Sequence, residues 1–304
     1  MKPGTERKRY RLAVAIVTLS LGMAPIANAG TIYAFAENIL TSFEIQSAPG
    51  TIADISGSRN SSNSALFGVI SDSTEDPETL PLGSDALQAV AGAGPFPGED
   101  NFVVFEALGV LDGARADTVT NSGNPFTGAG GTGVPLVANV AEAGLPGSGL
   151  QSATSSGSNT AEATFTITSP AALTFAFTDS IALMASTSSL DESANASIAN
   201  SFEIAQLNGT QVFLYTPEAC GAGSLQGSVG SSGGVPSQNT VTADCSVSGT
   251  SPVLSPGQYE VSLRTTSQVN VSSATPEPSE LLMAGTGLIA MALFLRRRRG
   301  SRKL

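Results

Sequence analysis

The side chains that could carry chemistry in this chain are carboxylates, hydroxyls and two cysteines, because its 304 residues include no histidine. That absence removes Ser-His and Cys-His nucleophiles, histidine general bases and His-based zinc sites together. Lysine occurs only at Lys2, Lys8 and Lys303, so Ser-Lys dyads and Schiff-base chemistry are excluded from everything between. Two motif matches fail on context. Gly230-Ser231-Ser232-Gly233-Gly234 fits G-x-S-x-G, but it lies in a Ser/Gly run with no base available. Gly128-Ala129-Gly130-Gly131-Thr132-Gly133 fits G-x-G-x-x-G, yet Pro125 and Pro135 flank it where a strand and a helix would be needed.

Carboxylates are the remaining chemical resource. Asp72-Ser73-Thr74-Glu75-Asp76-Pro77-Glu78, Glu99-Asp100 and Asp191-Glu192 could offer oxygen ligands to Ca²⁺, but none has the spacing of a calcium loop. A solvated acidic face is the preferred reading, and no cofactor is expected beyond that Ca²⁺ option. Two Asp or Glu side chains facing each other across a cleft would suffice for glycoside hydrolysis. Sugar sites usually add aromatic platforms, and this chain has no Trp and, beyond its first residues, only Tyr33, Tyr215 and Tyr259. A secreted carbohydrate-active hydrolase is therefore the alternative, and a non-enzymatic protein the expectation. The discriminating feature is a cleft holding two carboxylates about 5–10 Å apart.

Charge is distributed unevenly. Eleven of the 14 Lys and Arg residues sit in the two terminal segments, leaving Arg59, Arg115 and Arg264 between them. Glu6, Glu277 and Glu280 are the terminal members of the 25 acidic residues. The central body thus holds three basic and 22 acidic side chains, a formal charge of −19 hidden beneath the overall −11. Such a body repels phosphate backbones, which excludes nucleic acid as a partner.

Residues 1–29 have the three-part plan of a secretory signal. A basic start runs through Arg11, the apolar run is Leu12–Ala24, and Ala27 and Ala29 form an A-x-A site with cleavage expected before Gly30. The apolar run is shorter than the roughly 20 residues that span a bilayer. At the other end Thr275-Pro276-Glu277-Pro278-Ser279 precedes an apolar stretch, Leu281–Leu295, and then Arg296, Arg297, Arg298 and Arg299 within a basic cluster at 296–303. The prolines hold the segment ahead of the apolar stretch extended. The stretch is expected to be a transmembrane helix, short but extended by snorkelling arginines. Under the positive-inside rule the arginines stay cytoplasmic and Pro276 lies outside.

This tail closely resembles the PEP-CTERM sorting signal, matching it at Pro276, Glu277 and Pro278, at Gly285 and Gly287 within the helix, and at the arginine run. The resemblance covers only residues 276–304, and the same tail is carried by many unrelated bodies. It implies recognition by an exosortase, a membrane cysteine protease of Gram-negative bacteria that make exopolysaccharide. Signal peptidase and exosortase are then the processing partners and the inner membrane a transient one. The destination is the cell surface or extracellular matrix, with exopolysaccharide association or adhesion as the expected role.

The body, residues 30–275, reads as all-β: short runs rich in β-branched and aromatic residues separated by Gly, Ser, Asn and Pro. Strands are expected over 31–36, 39–45, 65–70, 101–108, 161–168, 172–178, 201–207, 211–215, 240–247 and 258–271. Tyr259, Val261 and Leu263 alternate with Glu260, Ser262 and Arg264, so one face of that last strand can be buried. It is expected to close a sheet just before the tail, entered through a type II turn at Ser255-Pro256-Gly257. Segments 121–133, 143–160 and 221–237 read as long Gly/Ser-rich loops, and 193–199 is ambiguous between helix and strand. The expected architecture is a sandwich of antiparallel sheets, as one domain or as two lobes meeting near 141–160. Cys220 and Cys245 both lie in the exported part, where an oxidising compartment favours a disulfide over two isolated thiols. That bridge would add about 3.5 kcal/mol.

Overall fold

The computed structural model describes residues 31–79, 85–93, 96–97, 112–121, 124–126, 133–146, 152–187, 192–216 and 237–273. The signal segment with Ala27, Ala29 and Gly30, the sorting tail with Pro276, Glu277, Pro278 and Arg296 to Arg299, the expected strand 101–108 and Cys220 lie outside them.

The described residues form twelve strands and no helix: β1 Thr31–Gln46, β2 Ile52–Phe67, β3 Ile70–Thr79, β4 Asp85–Gly92, β5 Gly113–Thr120, β6 Val134–Pro146, β7 Ser152–Ile167, β8 Thr174–Thr187, β9 Glu192–Gln206, β10 Gln211–Tyr215, β11 Ser237–Thr250 and β12 Gly257–Ser273. They make two six-stranded antiparallel sheets. Sheet A has the order β11-β8-β1-β6-β5-β4, and sheet B the order β10-β9-β12-β7-β2-β3. The inner faces of the two sheets carry the apolar residues, as a sandwich requires. Each sheet draws strands from both sides of residues 141–160: sheet A joins β8 and β11 to β1, β4, β5 and β6, and sheet B joins β7, β9, β10 and β12 to β2 and β3.

Several expectations are corrected here. Most of the expected loop 143–160 is strand, with β6 running to Pro146 and β7 starting at Ser152. Ser152–Thr160 has no large apolar residue and only Thr154 and Thr160 as β-branched ones, yet its positions alternate strictly between buried and partly exposed, and pairing on both edges holds it extended. The ambiguous segment 193–199 is strand, within β9. The run 65–70 is not one strand but the end of β2 and the start of β3, joined by a turn in which Gly68 takes φ 60°. Gly257 is already the first residue of β12, opposite Ile167, and is not among the positive-φ glycines, so the type II turn is absent. Tyr259 instead fixes the strand's entry by donating from its hydroxyl to the Ser255 carbonyl at 2.9 Å. β12 does not close a sheet; it lies between β9 and β7. Periodicity reveals which face of a strand is buried, not how many of its edges are paired.

A polar belt divides the core. In sheet A, register places Asn38, Asn139 and Thr118 in one row; in sheet B it places Asn200, Thr265, Asn159 and Ser61 in another. These rows bond across the sandwich. The Asn159 amide donates to Asn139 Oδ1 at 2.6 Å, Asn139 donates to Thr265 Oγ1 at 2.5 Å, and Asn38 donates to Asn200 Oδ1 at 2.6 Å. Ser61 and Thr120 donate to Asn159 Oδ1. On one side of the belt twelve of twenty clustered core residues are alanine, among them Ala34, Ala141, Ala194 and Ala196. On the other the core is aromatic, with Phe43, Phe165, Phe175, Phe177, Phe202 and Tyr259. A buried amide left without a partner costs about 1–3 kcal/mol, so a belt whose members satisfy one another also disfavours a slip of either sheet's register.

The aromatic half is tightly filled. A Cβ on Gly249 of β11 would lie 2.4 Å from the Phe175 ring, which itself stacks on Phe202 with centroids 4.4 Å apart. Gly249→Ala is expected to lower stability by about 1–3 kcal/mol through overpacking, read as a lower denaturant midpoint at unchanged slope.

Candidate functional surfaces

The two outer sheet faces differ in kind. On sheet A the outward residues of β1, β5 and β6 bring Tyr33, Glu37, Arg115, Asp117 and Glu142 together. All are buried, Arg115, Asp117 and Glu142 completely. Phe96 lies over this face, packed against Tyr33, Phe35 and Val140, and Gln88 donates to the Pro97 carbonyl beside it at 2.9 Å. Gly113 leaves room for that cover, because a Cβ there would meet the Phe96 ring at 2.7 Å. The Arg115 guanidinium stands 3.0 Å from Glu142 Oε2, and the Tyr33 hydroxyl donates to Glu142 Oε1. Burial pushes the Glu37 carboxyl up to about 7; the Arg115 charge pulls it down and the Glu142 charge adds to the rise. This constellation has acids and a hydroxyl but no access for a substrate. It is a sealed ion cluster that holds the centre of sheet A together.

Sheet B's outer face is open. Its rows are short polar side chains: Ser64, Ser156, Gln268 and Ser197 in one, Ser62, Ser158 and Thr266 in the next, Asn60, Thr160, Arg264 and Ser201 in a third. Hydroxyls pair across strands, Ser56 with Thr164 at 2.6 Å, Ser62 with Ser158 at 2.8 Å and Ser193 with Ser272 at 2.7 Å. No aromatic side chain points outward from this sheet among the described residues. Glu162 and Glu203 flank Ser262 from the two neighbouring strands, about 10 Å apart by interstrand spacing. Burial raises the neighbouring Glu260 carboxyl, and the charges of Glu162 and Glu203 add to the rise. These carboxylates stand on a flat sheet, not across a cleft. A shallow depression of about 530 Å³ lies at the β2–β3 edge, where Asp72 is the single carboxylate.

The sequence-predicted residues are spread accordingly. Asp72, Glu75 and Asp76 lie on edge strand β3, where Asp76 stands 3.7 Å from the buried Arg59 and Asp72 accepts from the Val90 amide of β4 at 3.0 Å. Among the described residues no three acidic side chains converge as a metal site would need. Glu99, Asp100, Asp191 and the G-x-S-x-G run lie outside the described residues. Of the glycine-rich match, Gly133 is described: it takes φ 75° and donates its amide to the Asn124 carbonyl at 3.0 Å. Cys245 sits on β11 opposite Asp179, but the Cys220–Cys245 pairing falls outside the described residues. Sequence reasoning missed the sealed cluster entirely; the one available signal was Arg115, one of only three body arginines. Arg59 and Arg115 are both buried, so Arg264 is the body's exposed cation.

Fold and surfaces together define an acidic, all-β two-sheet protein with one sealed and one open polar face. Comparison of the chain with protein-family models, curated proteins and solved structures returns no match.

Proposed function

We propose that this chain is an exported, exosortase-processed surface or matrix protein that acts without catalysis, presenting the outer face of sheet B to exopolysaccharide. The observation that carries the contact is that face: an open array of hydroxyls and amides on neighbouring strands, offering many similar hydrogen-bond partners. Hydroxyl-rich, neutral stretches of polymer suit it. Glu75, Glu162, Glu203 and Glu260 against the single Arg264 repel polyanions, and no three carboxylates among the described residues converge to bridge them through Ca²⁺. The sorting pattern at Pro276-Glu277-Pro278 supplies the address.

Mass spectrometry of the released protein is expected to show a mature start at Gly30 and loss of the tail near Pro276–Pro278; material still carrying residues 281–304 removes the sorting reading. Alanine at Pro276, Glu277 and Pro278 together is expected to hold the precursor in the inner membrane. For the contact, Ser158→Ala with Thr266→Val removes two hydroxyls at nearly constant shape. With each hydrogen bond contributing about 0.5–1.5 kcal/mol, retention on the producer's isolated matrix should fall about tenfold. Retention is expected to survive chelation by EDTA. Cleavage of the polysaccharide that disappears on Glu162→Gln or Glu203→Gln would replace this reading with the hydrolase.

A further inference from the structure

The four sheet edges are not equally protected. An edge strand presents unpaired amides and carbonyls that invite another chain, and proteins block such edges with charge, proline, bulges, brevity or a covering group. β3 carries Asp72, Glu75, Asp76 and Pro77. β4 has its Val90 amide occupied by Asp72. β10 is five residues long, and its register with β9 shifts between Gln211 and Phe213. Among the described residues β11 has none of these devices. It runs fourteen residues, Ser237–Thr250, in unbroken register with β8, contains no proline and has Asp244 as its single charge. Among the described residues it pairs on one side only.

We propose that β11 is a strand-addition site whose occupant is the β11 of a second copy of this chain, joining two sheets A across a two-fold axis. The choice of occupant follows from the edges themselves. Addition of one copy to another needs two compatible edges, and β11 is the unguarded one, so the pairing is self-complementary and closes as a dimer instead of growing into a fibre. Register narrows it further. Val241, Ala243 and Val247 face the sandwich interior and Thr242 and Asp244 face outward, so a continuous sheet must pair like face with like face. Two same-face registers overlap the strand almost fully. One, centred on Asp244, sets two like charges opposite each other. The other, centred on Ala243, places Asp244 opposite Thr242 of the second copy, twice per dimer, and is the register we assign. The inference does not depend on the export or polysaccharide reading.

The test is sedimentation equilibrium of the full chain in detergent, with variants of opposite sign. Thr242→Lys would face Asp244 and is expected to tighten the dimer, whereas Thr242→Asp should weaken it, each by roughly tenfold since two cross-strand pairs change at once. Val69→Lys, at the exposed β2–β3 turn, makes the same charge change away from β11 and is expected to leave the constant unaltered. A chain that is monomeric at all concentrations overturns the proposal. So does a dimer that responds alike to Thr242→Lys and Thr242→Asp, or to neither, since association would then run through the apolar tail or another face. Retained folding of each variant is checked by its circular dichroism.

Discussion

Arg115→Met is expected to lower stability by about 3–5 kcal/mol, the cost of breaking a buried ion pair and leaving its partner behind. Arg115 and Glu142 are both fully buried, 3.0 Å apart, with the Tyr33 hydroxyl on the other carboxylate oxygen and Glu37 close enough to feel both charges. Methionine fills most of the volume but removes the positive charge, so Glu142 and Glu37 must either stay ionised in a dry site or take up protons. For a body of this size the loss corresponds to a fall in Tm of roughly 10 °C or more. Two further results identify the cause. The defect should shrink in mildly acidic solution, where the stranded carboxylates are neutral. Arg115→Met combined with Glu142→Gln should recover much of the loss, because the unpaired charge and not the missing contact is what costs. A defect equally large at all pH values and unrelieved by the second substitution would place the effect in packing under Phe96.

How much of this was legible beforehand depends on what each segment buries. β10 was readable from sequence to the residue, and β12 nearly so, because Val212, Phe213, Tyr259, Val261 and Leu263 declare a strand by bulk and alternation. The alanine side of the core was not. Ala89, Ala91, Ala114, Ala141 and Ala143 fill the interior of β4, β5 and β6, but alanine carries no strand preference and reads as easily as helix or linker. The second half of β7 was read as the strand 161–168, but its first half was concealed for a related reason. Ser155, Gly157 and Asn159 point inward, where a hydrophobic pattern would have been expected, and they do so because the polar belt and the close approach to Asn63 and Val140 occupy that level of the sandwich. The acidic run at 72–78 was visible as charge, but its position on an edge strand came only with the pairing of β2 and β3. The sealed cluster required three long-range registers, Phe35 opposite Glu142, Glu142 opposite Arg115 and Glu37 opposite Val140, and no local pattern encodes these.

The second large effect concerns pH, and its sign runs against the usual acid denaturation. Burial raises the Glu37 carboxyl from its ordinary 4.5 to about 7, and Asp179 from 3.8 to about 6 despite the hydrogen bond it accepts from Asn200. Each group therefore holds its proton more tightly in the folded chain than in the unfolded one. As pH rises above about 4 the unfolded state releases these protons first, so stability falls through the window between the ordinary and raised values and levels off above about 7. At 1.36 kcal/mol per unit, Glu37 accounts for a loss on the order of 3 kcal/mol and Asp179 for a similar amount. The protein is expected to melt at a higher temperature near pH 4.5 than near pH 7.5, by roughly 10 °C from these two groups together. Glu37→Gln keeps the shape and removes the titration, so the variant should match the wild type near pH 4.5 and exceed it near pH 7.5, with about half of the pH dependence gone. Asp179→Asn should remove a comparable share, and at a lower pH, because its window closes near 6 instead of 7. If the difference between Glu37→Gln and the wild type does not change with pH, Glu37 is ionised in both states and the sealed face of sheet A is wetter than its burial implies.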